Sequence, residues 1–176
     1  MHIRSHIVLA LIGFVIPVAA ASCGRAPDQV EQAASVNPLK GVWSVSEMTP
    51  GSGSATITPS QPGLFIFTEG YYSAVHSLGG EPRSRSAVSF NATAEEKVAQ
   101  YDSIIVNAGT YDVSGSTATF RPQIAKSPEF VGGQSTMNFQ IDGDVLTLTV
   151  TKVVAADGVS APDAGAGTSM KLRRVE

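Results

Sequence analysis

The sequence predicts an all-β domain: an up-and-down antiparallel barrel of about eight strands with one short helix. Three observations carry this expectation. Charged residues make up only 15% of the chain, while Thr, Ser, Val and Gly are plentiful, a composition suited to strands joined by tight turns. Val145 to Val153 alternates, with Leu146, Leu148 and Val150 on one side and Thr147, Thr149 and Thr151 on the other, the period of a half-buried strand. Glu69-Gly70, Ser114-Gly115 and Asp142-Gly143 separate apolar runs by the short turns that join hairpins.

The elements follow in order. Gly41 to Glu47 is the first strand, holding Val42, Trp43 and Val45, and a Gly/Ser/Pro-rich loop runs from Thr49 to Pro62. Leu64–Thr68 and Tyr71–Leu78 form a hairpin, and Gly79 to Ser89 is loop. Ala94 to Val106 favours helix, with Val98, Tyr101 and Ile105 spaced to share a face. Thr93 and Glu96 make a capping box at its start, and Gly109 is placed to end it. Strands return at Thr110–Val113, Thr117–Ile124, Gln134–Ile141 and Val145–Val153. A small-residue loop from Ala155 to Ser169 precedes the last strand, Met170–Val175. Sequential hairpins favour a closed barrel over a sandwich, since closure removes exposed edges.

Ahead of this domain the chain has the layout of an export signal. Arg4, with His2 and His6, precedes an apolar run from Ile7 to Val18, and small residues follow at Ala19, Ala20, Ala21 and Ser22. A core of about a dozen residues is too short to span a bilayer of roughly 30 Å, so residues 1–22 read as a cleaved signal peptide. Residues 23–37 are then a flexible tether and 38–176 the barrel domain. Cys23, the only cysteine, stands directly after the small-residue run. Ala20-Ala21-Ser22-Cys23 resembles a bacterial lipobox, which implies lipidation of the Cys23 thiol, although such signals prefer Leu where Ala20 stands. The alternative is ordinary cleavage after Ala19-Ala20-Ala21, leaving a lone thiol without a partner in an oxidising compartment.

Gly41-x-Trp43 on the first strand, with Arg173 or Arg174 on the last, is similar to the lipocalin closure, in which an arginine packs across a tryptophan at the barrel floor. Other segments extend the likeness in order: Leu39-Lys40-Gly41-Val42-Trp43, Gly63 to Ala74, Ala108 to Val113, Ile141 to Leu148, and Leu172-Arg173-Arg174-Val175. Together they resemble the bacterial lipocalin-like domain proteins over most of Leu39 to Val175. Where that family usually has a tryptophan before the final arginine, this chain has Lys171-Leu172. The resemblance implies a calycin-like barrel, but the family has no uniform activity to carry over. Arg174 shares a face with Leu172 and Met170, which favours it over Arg173 as the partner of Trp43.

Little in the sequence points to catalysis. His76 is the only histidine after the signal, and no His/Cys cluster suits zinc. No Gly-x-Ser-x-Gly turn exists to hold a nucleophilic serine. Asp142 and Asp144 flank a turn glycine, which explains them without a metal. With no basic run beyond Arg173-Arg174 and a net charge of −3, nucleic acid is not an expected partner. The candidate ligand-binding residues are Tyr72 and His76, which share a strand face with Ala74, and Arg121, which is either solvated or an anchor for an acidic group. Gly41, Trp43 and Arg174 are the structural candidates. The expected role is therefore an exported, non-enzymatic protein without cofactor. It binds a small apolar molecule, and a lipid on Cys23 attaches it to a membrane; the alternatives are a filled barrel serving structure or protein contact, and a soluble periplasmic or secreted protein. Cys23→Ala is expected to move the protein from the membrane fraction to the soluble fraction; unchanged fractionation would refute the anchor.

Overall fold

The computed structural model describes residues 37–160 and 165–176. The signal, Cys23 and all but the last residue of the expected tether lie outside the described residues. Eight strands occur among the described residues: β1 (Gly41–Thr49), β2 (Leu64–Phe67), β3 (Tyr71–Ser77), β4 (Ile104–Ser114), β5 (Thr117–Ala125), β6 (Gln134–Asp142), β7 (Val145–Val154) and β8 (Ser169–Arg174). Each pairs antiparallel with the next, and β8 pairs antiparallel with β1 to close the barrel. The hairpins β4–β5 and β6–β7 turn on Gly115-Ser116 and Gly143-Asp144. The sequence signals lie one residue earlier, because the glycine with positive φ (57° and 56°) takes the first central position, as in a type II′ turn.

The helix is shorter than its composition suggests. Helix α1 spans Ala94–Asp102 and carries the expected Thr93–Glu96 capping box. Ile104, Ile105 and Val106 instead pair with Ser77, His76 and Val75 of β3. Consecutive β-branched residues lose rotamer freedom in a helix and pack well on a pleated sheet, so the strand takes them. Gly109 is accordingly no helix stop but a mid-strand residue. A Cβ there would lie 2.1 Å from the Arg121 carbonyl oxygen. The expected apolar helix face is not buried, with Val98 and Tyr101 exposed. The helix is tied down by polar contacts: the Arg83 guanidinium donates to Ser103 Oγ and to the Gln100 carbonyl, each at 2.9 Å.

Closure is made at one end of the barrel. Trp43 is fully buried, donates from Nε1 to the Leu39 carbonyl at 2.8 Å, and is opposite Arg174 in the β1–β8 register. The Arg174 guanidinium lies 4.0 Å from the Trp43 ring centroid and donates to the Lys40 carbonyl at 3.0 Å. Gly41 has φ +133°, and a Cβ on it would meet the Glu176 carbonyl at 2.4 Å and the Arg174 guanidinium at 2.8 Å. A side chain at 41 would therefore be strained and would displace the arginine. Leu39, Leu146, Leu148 and Leu172 fill the space beside the tryptophan, all with no exposed surface. The chain enters at this end: Asn37 donates to the Tyr111 hydroxyl at 2.6 Å, which itself donates to the Thr68 carbonyl at 2.7 Å.

Three bulges interrupt the ladders, at Ser46 in β1, Gln123 in β5 and Thr151 in β7. Each extra residue reverses the alternation beyond it. The first turns Glu47 outward, where it accepts from Lys171 Nζ at 2.8 Å, and brings Met48 inside. The second exposes Ile124, although strict alternation puts it on the buried side with Phe120.

Arg174→Ala removes the stacked cation and is expected to lower stability by about 0.5–2 kcal/mol. Because Trp43 is the only tryptophan, its emission should shift to the red in the same variant. Thermal melts and fluorescence spectra check both.

Candidate functional site

The lower half of the barrel is filled. Phe67, Tyr111 and Phe120 pack in the closed half with Trp43, Phe67 edge-on to Tyr111 with centroids 5.3 Å apart and Tyr111 and Phe120 5.9 Å apart. Tyr72 meets Phe120 edge to face at 4.8 Å. Above this aromatic plug the barrel holds a cavity of about 440 Å³, within the size range of small-molecule sites. On one side Met48 from β1, Met137 from β6, Val150 from β7 and Met170 from β8 give an apolar centre, beside which Gln134 and Ser135 of β6 and Thr168 are polar. Methionine is unbranched and polarizable, so a wall rich in it adapts to the shape of what it meets. The opposite wall, from β3 and β4, carries Tyr72, His76 and Asn107.

Alternation along β3 turns Tyr72, Ala74 and His76 inward, with 6%, 4% and 7% of their surface exposed, and leaves Tyr71 outside. The His76 ring stacks on Phe65 with centroids 5.8 Å apart, which fixes its plane. His76 Nδ1 lies 3.2 Å from the Ser77 carbonyl oxygen. A carbonyl can only accept, so Nδ1 carries the proton and Nε2 of the neutral ring is a bare acceptor. Burial pushes the His76 pKa below its ordinary value, and the bond to Ser77 opposes this in part. Burial likewise pushes the Tyr72 phenol up to about 12, so it remains a neutral hydroxyl.

Arg121 does not line the cavity as a ligand-binding candidate would; of its two expected positions it takes the solvated one. Its inward neighbours on β5 are Phe120 and Pro122, so alternation directs Arg121 to the outer surface, where its side chain is 48% exposed and ion-paired with Asp112. It does not reach the cavity and cannot anchor a ligand there. Such an exposed pair contributes little to stability. Asn107 was missed because it falls between the expected helix and the expected strand at Thr110. Once β4 is known to begin at Ile104, parity with buried Tyr111 assigns Asn107 and Ile105 to the inner face.

The family model for the lipocalin-like domain matches residues 40–164, more than half of the chain and most of the barrel. The chain belongs to the lipocalin-like domain family. That family's fold is of the small-molecule-binding type and generally one of binding, not catalysis. A solved structure of an uncharacterized protein from Bacteroides eggerthii DSM 20697 is similar over 77% of this chain and 98% of that one, at 12% identity and a TM-score of 0.41. No curated protein matches the sequence.

The buried histidine of this lipocalin-like barrel gives a pH signature. Below about pH 6.5 the unfolded chain protonates its histidine while the folded one, with its lowered pKa, resists. The contribution of His76 is thus fully present above that pH and is lost as pH falls toward the folded-state value. Thermal melts from about pH 7 to about pH 5.5 should fall less steeply in His76→Gln than in the wild type; parallel profiles would contradict the assignment.

Proposed function

We propose that this lipocalin-like protein is exported, held at a membrane surface by a lipid on Cys23, and that it binds a small, mainly apolar molecule in the upper half of its barrel without transforming it. The observation that carries the binding role is the 440 Å³ cavity above a filled floor. A barrel built only to be rigid would have side chains filling both halves. Absence of catalysis is favoured by the titratable groups of the wall. His76 and Tyr72 are the ones the described cavity lining supplies; the phenol, pushed up to about 12, is far from the near-neutral pKa that acid–base work favours, and the described lining includes no carboxylate to orient the histidine. The export and anchoring part rests on the signal-like run before Cys23 and on the isolation of that cysteine.

A second reading, a protein-interaction module of the envelope, draws on the outer wall. There Leu64 pairs with Val75, and the register carries Ile66 through Ser73 and Ala108 to Ile124. Leu64, Ile66, Val75 and Ile124 are all exposed, a small apolar strip of the kind contact surfaces use.

The two readings separate with diphenylhexatriene, a neutral rod without hydrogen-bonding groups that fluoresces in apolar surroundings. The cavity reading expects saturable binding to the wild type and a loss of affinity of at least about tenfold in Ala74→Phe, which fills the space, with far-ultraviolet circular dichroism unchanged. Absent binding, or equal binding by both proteins, overturns the cavity reading and leaves the outer wall as the candidate.

A further inference from the structure

We infer that the ligand is a neutral molecule with a hydroxyl group at one end of an apolar body, the hydroxyl donating to His76 Nε2. This rests on the cavity reading and names the chemistry the same site selects. Three of the polar side chains that line the cavity share the β3–β4 wall; Gln134, Ser135 and Thr168 line it elsewhere. Ala74 is opposite Asn107 in the β3–β4 register, with Tyr72 opposite Gly109 and His76 opposite Ile105. Asn107 is therefore the diagonal inner-face neighbour of both Tyr72 and His76, roughly 7–8 Å away along the sheet. One small polar group on a ligand can reach this strip while the rest of the molecule faces Met48, Met137, Val150 and Met170.

Hydrogen-bonding capacity decides which group that is. The Ser77 carbonyl holds the proton of the His76 ring on Nδ1. Nε2 has no partner among the described residues, and it is not sealed off as the Ser77 hydroxyl is. It offers a lone pair and asks for a donor. A hydroxyl donates to Nε2 and can accept from the amide of Asn107, the diagonal neighbour of His76, so both sides are satisfied. A carboxylate, an ester or a ketone can only accept, and leaves the Nε2 lone pair facing another one. A carboxylate would also bring its charge into a cavity whose described lining includes no Lys or Arg, and burying an unpaired charge is strongly unfavourable. An ammonium group would donate, but the same described lining includes no Asp or Glu to neutralise it.

The test compares decanol with decanoate, equal in chain length and different in the head group, as displacers of diphenylhexatriene at about pH 8, where the carboxylate is ionised and histidine neutral. Decanol should displace the dye at concentrations at least about tenfold lower than decanoate. In His76→Leu, with displacement read against the dye affinity of that variant itself, the advantage of decanol over decanoate should fall by about tenfold. Nitrogen chemical shifts of His76 give a reading without mutation: the Nδ1–H tautomer in the free protein, with the Nε2 signal moving when decanol is added. Decanoate binding as well as decanol, an advantage of decanol unchanged in His76→Leu, or an Nε2–H tautomer would each overturn the inference. Dye binding that neither compound displaces overturns it too while leaving the cavity reading in place. Failure of the dye itself removes both.

Discussion

The pairing of β1 with β8 over the Trp43 floor is the constraint on which the rest of the structure depends. An eight-stranded sheet that failed to join there would expose two unpaired edges and open its inner face to water. The join is made where Trp43 and Arg174 stand opposite each other. The indole is fully buried, its ring nitrogen satisfied by Leu39, and its face is covered by a guanidinium that also holds the Lys40 carbonyl. Gly41 lets the chain pass this close to the C-terminal residues. The floor thus seals one end with a large apolar side chain whose only polar group has a partner, which is what burial of a tryptophan requires.

Filling the floor determines where an empty space can be. Aromatic side chains from β2, β4 and β5 fill the closed half of the barrel with Trp43, and smaller or flexible residues, Ala74 and three methionines, line the cavity beyond them. The bulges act at this level. They change which side chains point inward past the middle of β1 and β7, so that Met48 and Val153 reach the cavity. Bulges at barrel walls serve curvature in general, and here they also make the upper half mainly apolar. Polar groups come from the β3–β4 wall, with a neutral histidine, a neutral phenol and an amide, and from Gln134, Ser135 and Thr168. A largely apolar cavity whose described polar lining is uncharged is suited to discriminate by hydrogen-bond direction, not by charge.

Much of this was legible in the residues. Alternation in β3 and β7 and the turn glycines lead directly to the strands, and the Gly41-Trp43-Arg174 set leads to the floor, because these signals are local or repeat a pattern whose geometry is invariant. The inward direction of Tyr72 and His76 follows from the same alternation once the barrel is closed. Errors arose where two local preferences competed. Ile104 to Val106 continue a helical spacing, yet their β-branched side chains are claimed by β3, and that claim depends on a strand distant in sequence. Asn107 was hidden by the same misplacement. Ile124 follows a clean alternation that a bulge reverses, and a bulge is a property of two paired strands, not of one.

By itself the sequence determined the class of fold, the order of its strands, the capped start of its helix and the chemistry of its floor, since period, capping and turn geometry act over a few neighbouring residues. The tertiary structure alone decided that Arg121 faces solvent beside Asp112, that Asn107 joins His76 and Tyr72, and that the barrel is filled below and open above. Those outcomes depend on register between strands and on the volume left after every inward side chain has packed. Neither quantity is a property of any single segment.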